Sequence, residues 1–204
     1  MNRPTYMQEI RRRIEAAKNG SVFVASDFAD ITETKRISEY LVRLSADNTV
    51  ICVMRGVFYK PKYSKLLDEY IAPSPDAVAH ALARNYGWTI FPCGDTALNL
   101  LGLSTQVPVV WSYVSDGPYK EYSYDNATIK YKHTTNKEVS KLSPNLMVED
   151  YWKTLDDTEK KIYRLREQGY TQGEVAKMLG YSGNSAVSKR LKTMRAKFKD
   201  VTGI

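Results

Sequence analysis

The stretch from Thr171 to Phe198 leaves the fewest folds open. Thr171 stands three residues before Glu174, the spacing of a capping box, in which each side chain bonds the other's backbone N–H. Val175, Met178 and Leu179 give the short helix after it an apolar face, and Gly180 closes that helix. Tyr181-Ser182-Gly183 forms a turn, and Asn184 or Ser185 caps a last helix. There Val187, Leu191, Met194 and Phe198 recur at i, i+4, i+7 and i+11, a stripe of helical period. The remaining faces carry Lys189, Arg190, Lys192, Arg195, Lys197 and Lys199. Upstream, Asp156 and Asp157 open a helix with Ile162, Leu165 and Tyr163 on its apolar side, ended by Gln168-Gly169. A helix, a short helix, a tight turn and a cationic helix predict a helix-turn-helix over residues 146–204.

The N-terminal segment, residues 1–62, predicts a winged helix-turn-helix. Tyr6, Ile10, Ile14 and Ala17 lie at helical spacing before Gly20, and Val22-Phe23-Val24 is a short β-type run. Ser26 or Asp27 caps a small helix with Phe28 as its core residue; Thr32 caps a longer one with Ile37, Leu41 and Leu44 on one face. Two β-rich runs, Thr49 to Met54 and Val57 to Lys60, flank Arg55-Gly56 as in a hairpin. In such a fold the second helix enters the major groove and the hairpin flanks it. Lys35, Arg36 and Arg43 then neutralise phosphate, Thr34, Ser38 and Glu39 reach base edges, and Arg55 and Lys60 are wing contacts. The competing expectation is that these charges are merely solvated. Arg11-Arg12-Arg13 fan round a helix, so no more than two of them can face DNA together.

Charge follows the same division. The chain of 204 residues carries +7, distributed as +3 over residues 1–60, −1 over 61–153 and +5 over 154–204. The neutral centre, residues 63–145, predicts a small α+β domain with antiparallel strands. Ala72-Pro73-Ser74-Pro75 is a stiff break and Asp76 caps a helix through Val78, Ala79, Leu82 and Ala83. Tyr86 to Phe91 reads as a strand, Gly94-Asp95 starts a small helix, and three β-rich runs come after it: Val107 to Val114, Tyr119 to Tyr124 and Thr128 to His133. Tyr113, Tyr119, Tyr122, Tyr124 and Tyr131 suit a protein-binding face, or are ordinary strand residues.

Catalytic and metal signals are absent from the sequence. His80 and His133 have no second imidazole near them in sequence, and there is no Gly-rich phosphate loop and no nucleophile elbow. No catalytic residue, metal or cofactor is expected, and the chain is expected not to be an enzyme. Cys52 and Cys93 make neither a disulfide framework nor a zinc set and are expected to be buried thiols. No apolar run reaches a membrane-spanning length and no secretory signal is present, so a cytoplasmic protein with no membrane partner is expected.

Two resemblances add to this. Gly169 to Ser182, with the cationic helix after it, resembles the helix-turn-helix of sigma-factor region four and related response-regulator output domains. That resemblance implies that Asn184, Ser185, Ser188, Lys189 and Lys192 face the groove, with Arg195 near phosphate. Three other stretches together resemble the AbiEi-like antitoxins of abortive-infection (type IV) toxin–antitoxin systems, over about residues 4–145. They are Arg55-Gly56-Val57-Phe58-Tyr59-Lys60-Pro61, Pro75-Asp76-Ala77-Val78-Ala79 and the run Gly94 to Pro108 containing Ala97-Leu98-Asn99-Leu100-Leu101-Gly102-Leu103-Ser104-Thr105-Gln106. The resemblance implies a transcriptional regulator on double-stranded promoter or operator DNA, with a nucleotidyltransferase toxin as partner of the middle domain. The alternative it leaves is an interaction module that neutralises such a toxin with little DNA role of its own.

Overall fold

A computed structural model of the chain describes residues 5–134 and 144–202, a mixed α+β arrangement of helices and short strands. They divide into two compact units, one of residues up to 89 together with 123–127, the other of the remainder. The expected three modules, 1–62, 63–145 and 146–204, are therefore redrawn. The middle segment is shared out, because its residues up to 89 belong with the N-terminal residues and most of those after 89 with the C-terminal helices.

In the first unit, α1 (Tyr6–Ala16) starts at a capping box of Thr5 and Gln8 and buries Ile10 and Ile14. β1 (Val22–Phe23) leads into a 3-10 helix (Ala25–Phe28), where the Asp27 carboxylate accepts the Val24 N–H at 2.9 Å. α2 (Thr34–Ala46) comes next, with Glu33 and not Thr32 at its N-cap. β2 (Ile51–Met54) and β3 (Val57–Tyr59) pair antiparallel, and the three-stranded sheet has the order β1-β3-β2. Gly56 makes the turn between them with φ +81°, a conformation that costs other residues strain. Ile10, Ile14, Phe23, Phe28, Ile37, Leu41, Leu44, Val50 and Phe58 form the core. Each large side chain there contributes about 1.5–3 kcal/mol through burial.

The same unit continues with the short pair β4 (Tyr63–Ser64) and β5 (Glu69–Tyr70), then α3 (Pro75–Tyr86). Ser74, not Asp76, caps α3, and Pro75 sits at the first helical position, where its missing N–H costs nothing. Arg84 of α3 donates to Asp27 at 3.0 Å and to the Val22 carbonyl at 3.2 Å. The strand expected from Tyr86 to Phe91 is corrected. Tyr86 is still helical, Gly87 closes α3 in the left-handed conformation, and β6 is only Ile90–Pro92.

The second unit holds β6, α4 (Gly94–Leu100), β7 (Val110–Ser115), most of β8 (Lys120–Tyr124) and β9 (Ala127–His133), in the sheet order β6-β7-β9-β8. β6 and β7 are antiparallel, but β7 and β9 run parallel from Val110↔Thr128 to Ser115↔His133. The expected antiparallel strands are found in β6–β7, and the β7–β9 pair is corrected to parallel. Residues 116–119 do not close a hairpin onto β7; β8 takes the edge and β9 returns between them. The tyrosine face is corrected too: Tyr113, Tyr124 and Tyr131 are buried, Tyr122 is half-buried, and Tyr119 is exposed.

Four helices complete the unit: α5 (Pro144–Thr154), α6 (Asp157–Glu167), α7 (Gln172–Met178) and α8 (Asn184–Thr202). The predicted stripe Val187, Leu191, Met194 and Phe198 is buried throughout. It shares one core with Tyr151, Leu155, Ile162, Tyr163, Val175 and Ala176, and with Ala97, Leu98 and Leu103 from α4 and the loop after it.

Candidate nucleic-acid interface

On α2 the stripe Ile37, Leu41, Leu44 faces the core, so the intervening positions face solvent. Thr34, Lys35, Arg36, Ser38, Glu39 and Arg43 are all exposed. Among the described residues, Lys35 and Arg36 have no ion-pair or hydrogen-bond partner. Arg43 lies over the Tyr40 ring, 5.9 Å from its centroid, and the Ser38 hydroxyl bonds back to the Thr34 carbonyl at 2.9 Å. Ser38, Glu39, Val42 and Arg43 line a shallow depression of about 380 Å³. Val42 was not singled out from the sequence. It is 61% exposed, and the signal was its phase: it falls outside the core stripe yet is apolar.

Arg55, at the turn between β2 and β3, is exposed and without a partner among the described residues. Lys60 is not available as a wing contact. Its Nζ donates to the carbonyls of Glu15 (2.6 Å) and Ala17 (2.9 Å), satisfying orphan acceptors at the end of α1. The arginine triplet is fully engaged: Arg11 with Asp47 and Thr49, Arg12 with Glu9, and Arg13 with Asp30. Among these acids, Asp47 is held down to about 2, by hydrogen bonds from Thr49 first and Arg11 second.

On α8, Asn184, Ser185, Ser188, Lys189 and Lys192 are exposed. Lys189 and Lys192 have no partner side chain among the described residues. Ser188 donates to Gln172 Oε1 at 2.9 Å and so ties α8 to α7. Tyr181, Ala186, Lys189, Arg190 and Thr193 border a second shallow depression, about 420 Å³. Arg190 itself is paired with Asp156, whose carboxyl lies below its usual range because the Glu159 backbone N–H and Arg190 favour its charged form.

Arg195 departs from expectation. It is half-buried, and its Nε donates to the Leu103 carbonyl at 2.6 Å, across a sequence separation of 92. Arg166 makes the matching bond to the neighbouring Gly102 carbonyl at 3.0 Å. These two guanidinium groups clamp the loop after α4 to the helices, so the Arg195 Nε is committed within the fold. Lys197 is likewise spent, on Glu159 (2.6 Å), which is 1% exposed, and on the Thr154 carbonyl.

The two thiols differ from each other: Cys93 is buried, which pushes its thiol up, whereas Cys52 is exposed, contrary to expectation. Among the described residues no group of three or more His, Cys, Asp or Glu could hold a metal ion. No helix among them is long and apolar enough to cross a membrane.

The class this defines is a two-unit α+β protein with cations that have no partner among the described residues, on the outer faces of two helices whose inner faces are buried. Over residues 9–149 the chain matches a family of unknown function (DUF6088), and it belongs to that family. No curated protein and no solved structure matches it.

Proposed function

We propose that the protein is a DNA-binding transcriptional regulator that uses α2 and α8 as recognition helices. The observation that carries this is the contrast among its cations. Those engaged in structural pairs (Arg13, Lys60, Arg195, Lys197) hold the fold together. Lys35, Arg36, Lys189 and Lys192 remain exposed and, among the described residues, unpaired, on helices whose opposite faces are buried. Exposed unpaired cations are the groups that release counterions on meeting a phosphate backbone.

The local architecture supports the same reading. The order α1, β1, 3-10 helix, α2, then the β2–β3 hairpin is the order of a winged helix-turn-helix. The order α6, α7, turn, α8, with Gly180 at φ +75° in the turn, is that of a helix-turn-helix. With the resemblance to AbiEi-like antitoxins, the reading becomes an autorepressor of a type IV toxin–antitoxin operon, acting by binding and not as an enzyme. The test is a mobility-shift titration on DNA upstream of the gene. Binding above that to random DNA is expected, and no preference at low salt refutes it.

A second reading has its own observation. Leu100, Val107, Val109 and Val110 are exposed in the second unit, with Val107 at 74% and Val109 at 70%. Clustered exposed apolar residues mark protein contacts. In this reading the protein binds and neutralises a nucleotidyltransferase toxin. Co-purification with a neighbouring nucleotidyltransferase, lost on Val107→Asp with Val109→Asp, supports it; co-purification that the double change leaves intact refutes it.

A further inference from the structure

The outward face of α2 is not uniformly cationic. Ile37, Leu41 and Leu44 are buried, so the row on the far side of the helix is Lys35, Glu39, Val42 and Ala46, all exposed. Glu39 is the acid in that row. Lys35 stands four residues before it, Arg36 three before and Arg43 four after, the separations at which helical side chains pair. None of the three is bonded to it. Arg43 lies over the Tyr40 ring instead, and among the described residues Glu39 has no hydrogen-bond or ion-pair partner. Val42, one turn further on, is 61% exposed, and the two residues share the shallow depression on the helix.

A free carboxylate beside a free aliphatic side chain does not suit phosphate, which repels the first and gives the second nothing to pack on. The major groove offers both what they lack. Cytosine presents the N4 amino group, a donor that a carboxylate accepts, and thymine presents its C5 methyl group. Adenine also presents an amino group, but its N7 acceptor lies beside it, and guanine presents two acceptors, so both repel a carboxylate. A protein partner fits less well. Val42 is the single exposed large apolar residue of α2, and an isolated one makes no docking patch. From Glu39 to Val42 the helix advances about 4.5 Å, against about 3.4 Å per base step, so the two side chains meet neighbouring base pairs.

We infer that Glu39 and Val42 set the sequence preference of α2, Glu39 accepting from the N4 amino group of a cytosine and Val42 packing on the C5 methyl group of a thymine at the neighbouring step. This rests on α2 being a recognition helix, as proposed above. Lys35 and Arg36, next to them, supply affinity for the backbone and no preference.

The test is selection from a random duplex DNA library by the full chain, as wild type, Glu39→Gln and Val42→Ser. The wild type is expected to enrich a site with cytosine and thymine at adjacent positions. Glu39→Gln should exchange that cytosine for adenine, whose N6 and N7 a glutamine side chain contacts together. Val42→Ser should lose the thymine and keep the rest of the site. Deoxyuridine in place of that thymine removes the methyl group alone. In fluorescence anisotropy it should weaken wild-type binding about fourfold, the worth of one buried methyl-sized group, and leave Val42→Ser unaffected. Both residues are exposed, and serine and valine have similar helix propensity, so circular dichroism should be unchanged. A wild type that enriches no sequence overturns the recognition-helix reading, and this inference with it. A wild type that enriches a site without that pair, a site that both variants enrich equally, or equal wild-type binding to the thymine and deoxyuridine duplexes overturns this inference alone.

Discussion

Arg195→Ala separates a phosphate contact from a structural clamp. The Arg195 Nε bonds the Leu103 carbonyl at 2.6 Å, and Leu103 is fully buried. A hydrogen bond from a charged donor contributes about 1.5–3 kcal/mol, and a buried carbonyl left unpaired carries its own desolvation cost. The variant should therefore lose about 2 kcal/mol. With a urea m-value of about 2 kcal/mol per M, the unfolding midpoint of the second unit moves down by roughly 1 M. Trp152 lies in α5, beside that unit's core, so its fluorescence reports the transition. Arg166 holds the adjacent Gly102 carbonyl, so Arg166→Ala should cost a similar amount. The double variant should lose less than the sum, because the first change already frees the loop. DNA affinity and its salt dependence should be unchanged in Arg195→Ala under conditions where it is folded. Unchanged stability together with weakened DNA binding would refute the clamp and return Arg195 to the groove.

Lys60→Met should lower the stability of the first unit by about 1–2 kcal/mol, by leaving the α1 carbonyls of Glu15 and Ala17 without their donor. Denaturant titration checks this, and a change confined to DNA affinity would contradict it. Tyr151→Phe should be neutral or stabilising by about 1 kcal/mol, because its hydroxyl is buried without a partner, and a loss above 1 kcal/mol in thermal unfolding would oppose that. Asp156 and Glu174 both lie below their usual range through backbone N–H bonds at helix starts, to Glu159 and Thr171 respectively. A carboxyl depressed in the folded state stabilises above its unfolded pKa of about 4 and loses that contribution as pH falls through the folded value. Melting temperature should thus fall between about pH 5 and 3, and Asp156→Asn should flatten that slope; an equal slope in the variant would count against it.

What the sequence made legible was whatever is local. The stripe Val187, Leu191, Met194, Phe198 is set by a 3.6-residue period, and the Thr171–Glu174 box by a three-residue spacing; both appear where expected. The parallel β7–β9 pair was not legible, because strand order is decided by which neighbour completes the sheet and not by either strand's own residues. Tyr113 and Tyr131 looked like surface aromatics because alternation shows which residues share a face but not which face is covered. The candidate interface divides in the same way. The exposure of Lys35, Arg36, Lys189 and Lys192 follows from helical phase. The diversion of Lys60 and Arg195 depends on carbonyls 43 to 92 residues away, which no local pattern encodes.

The most direct test of the central claim is the salt dependence of DNA binding, by fluorescence anisotropy over a range of salt concentrations. Each phosphate contact contributes about 0.9 to the slope of log K against log salt. Lys35→Ala with Arg36→Ala, and separately Lys189→Ala with Lys192→Ala, should each shallow the slope by roughly 1–2, while Lys60→Met leaves it unchanged. A slope that none of the four exposed cations alters, or one that falls with Lys60, would contradict the account.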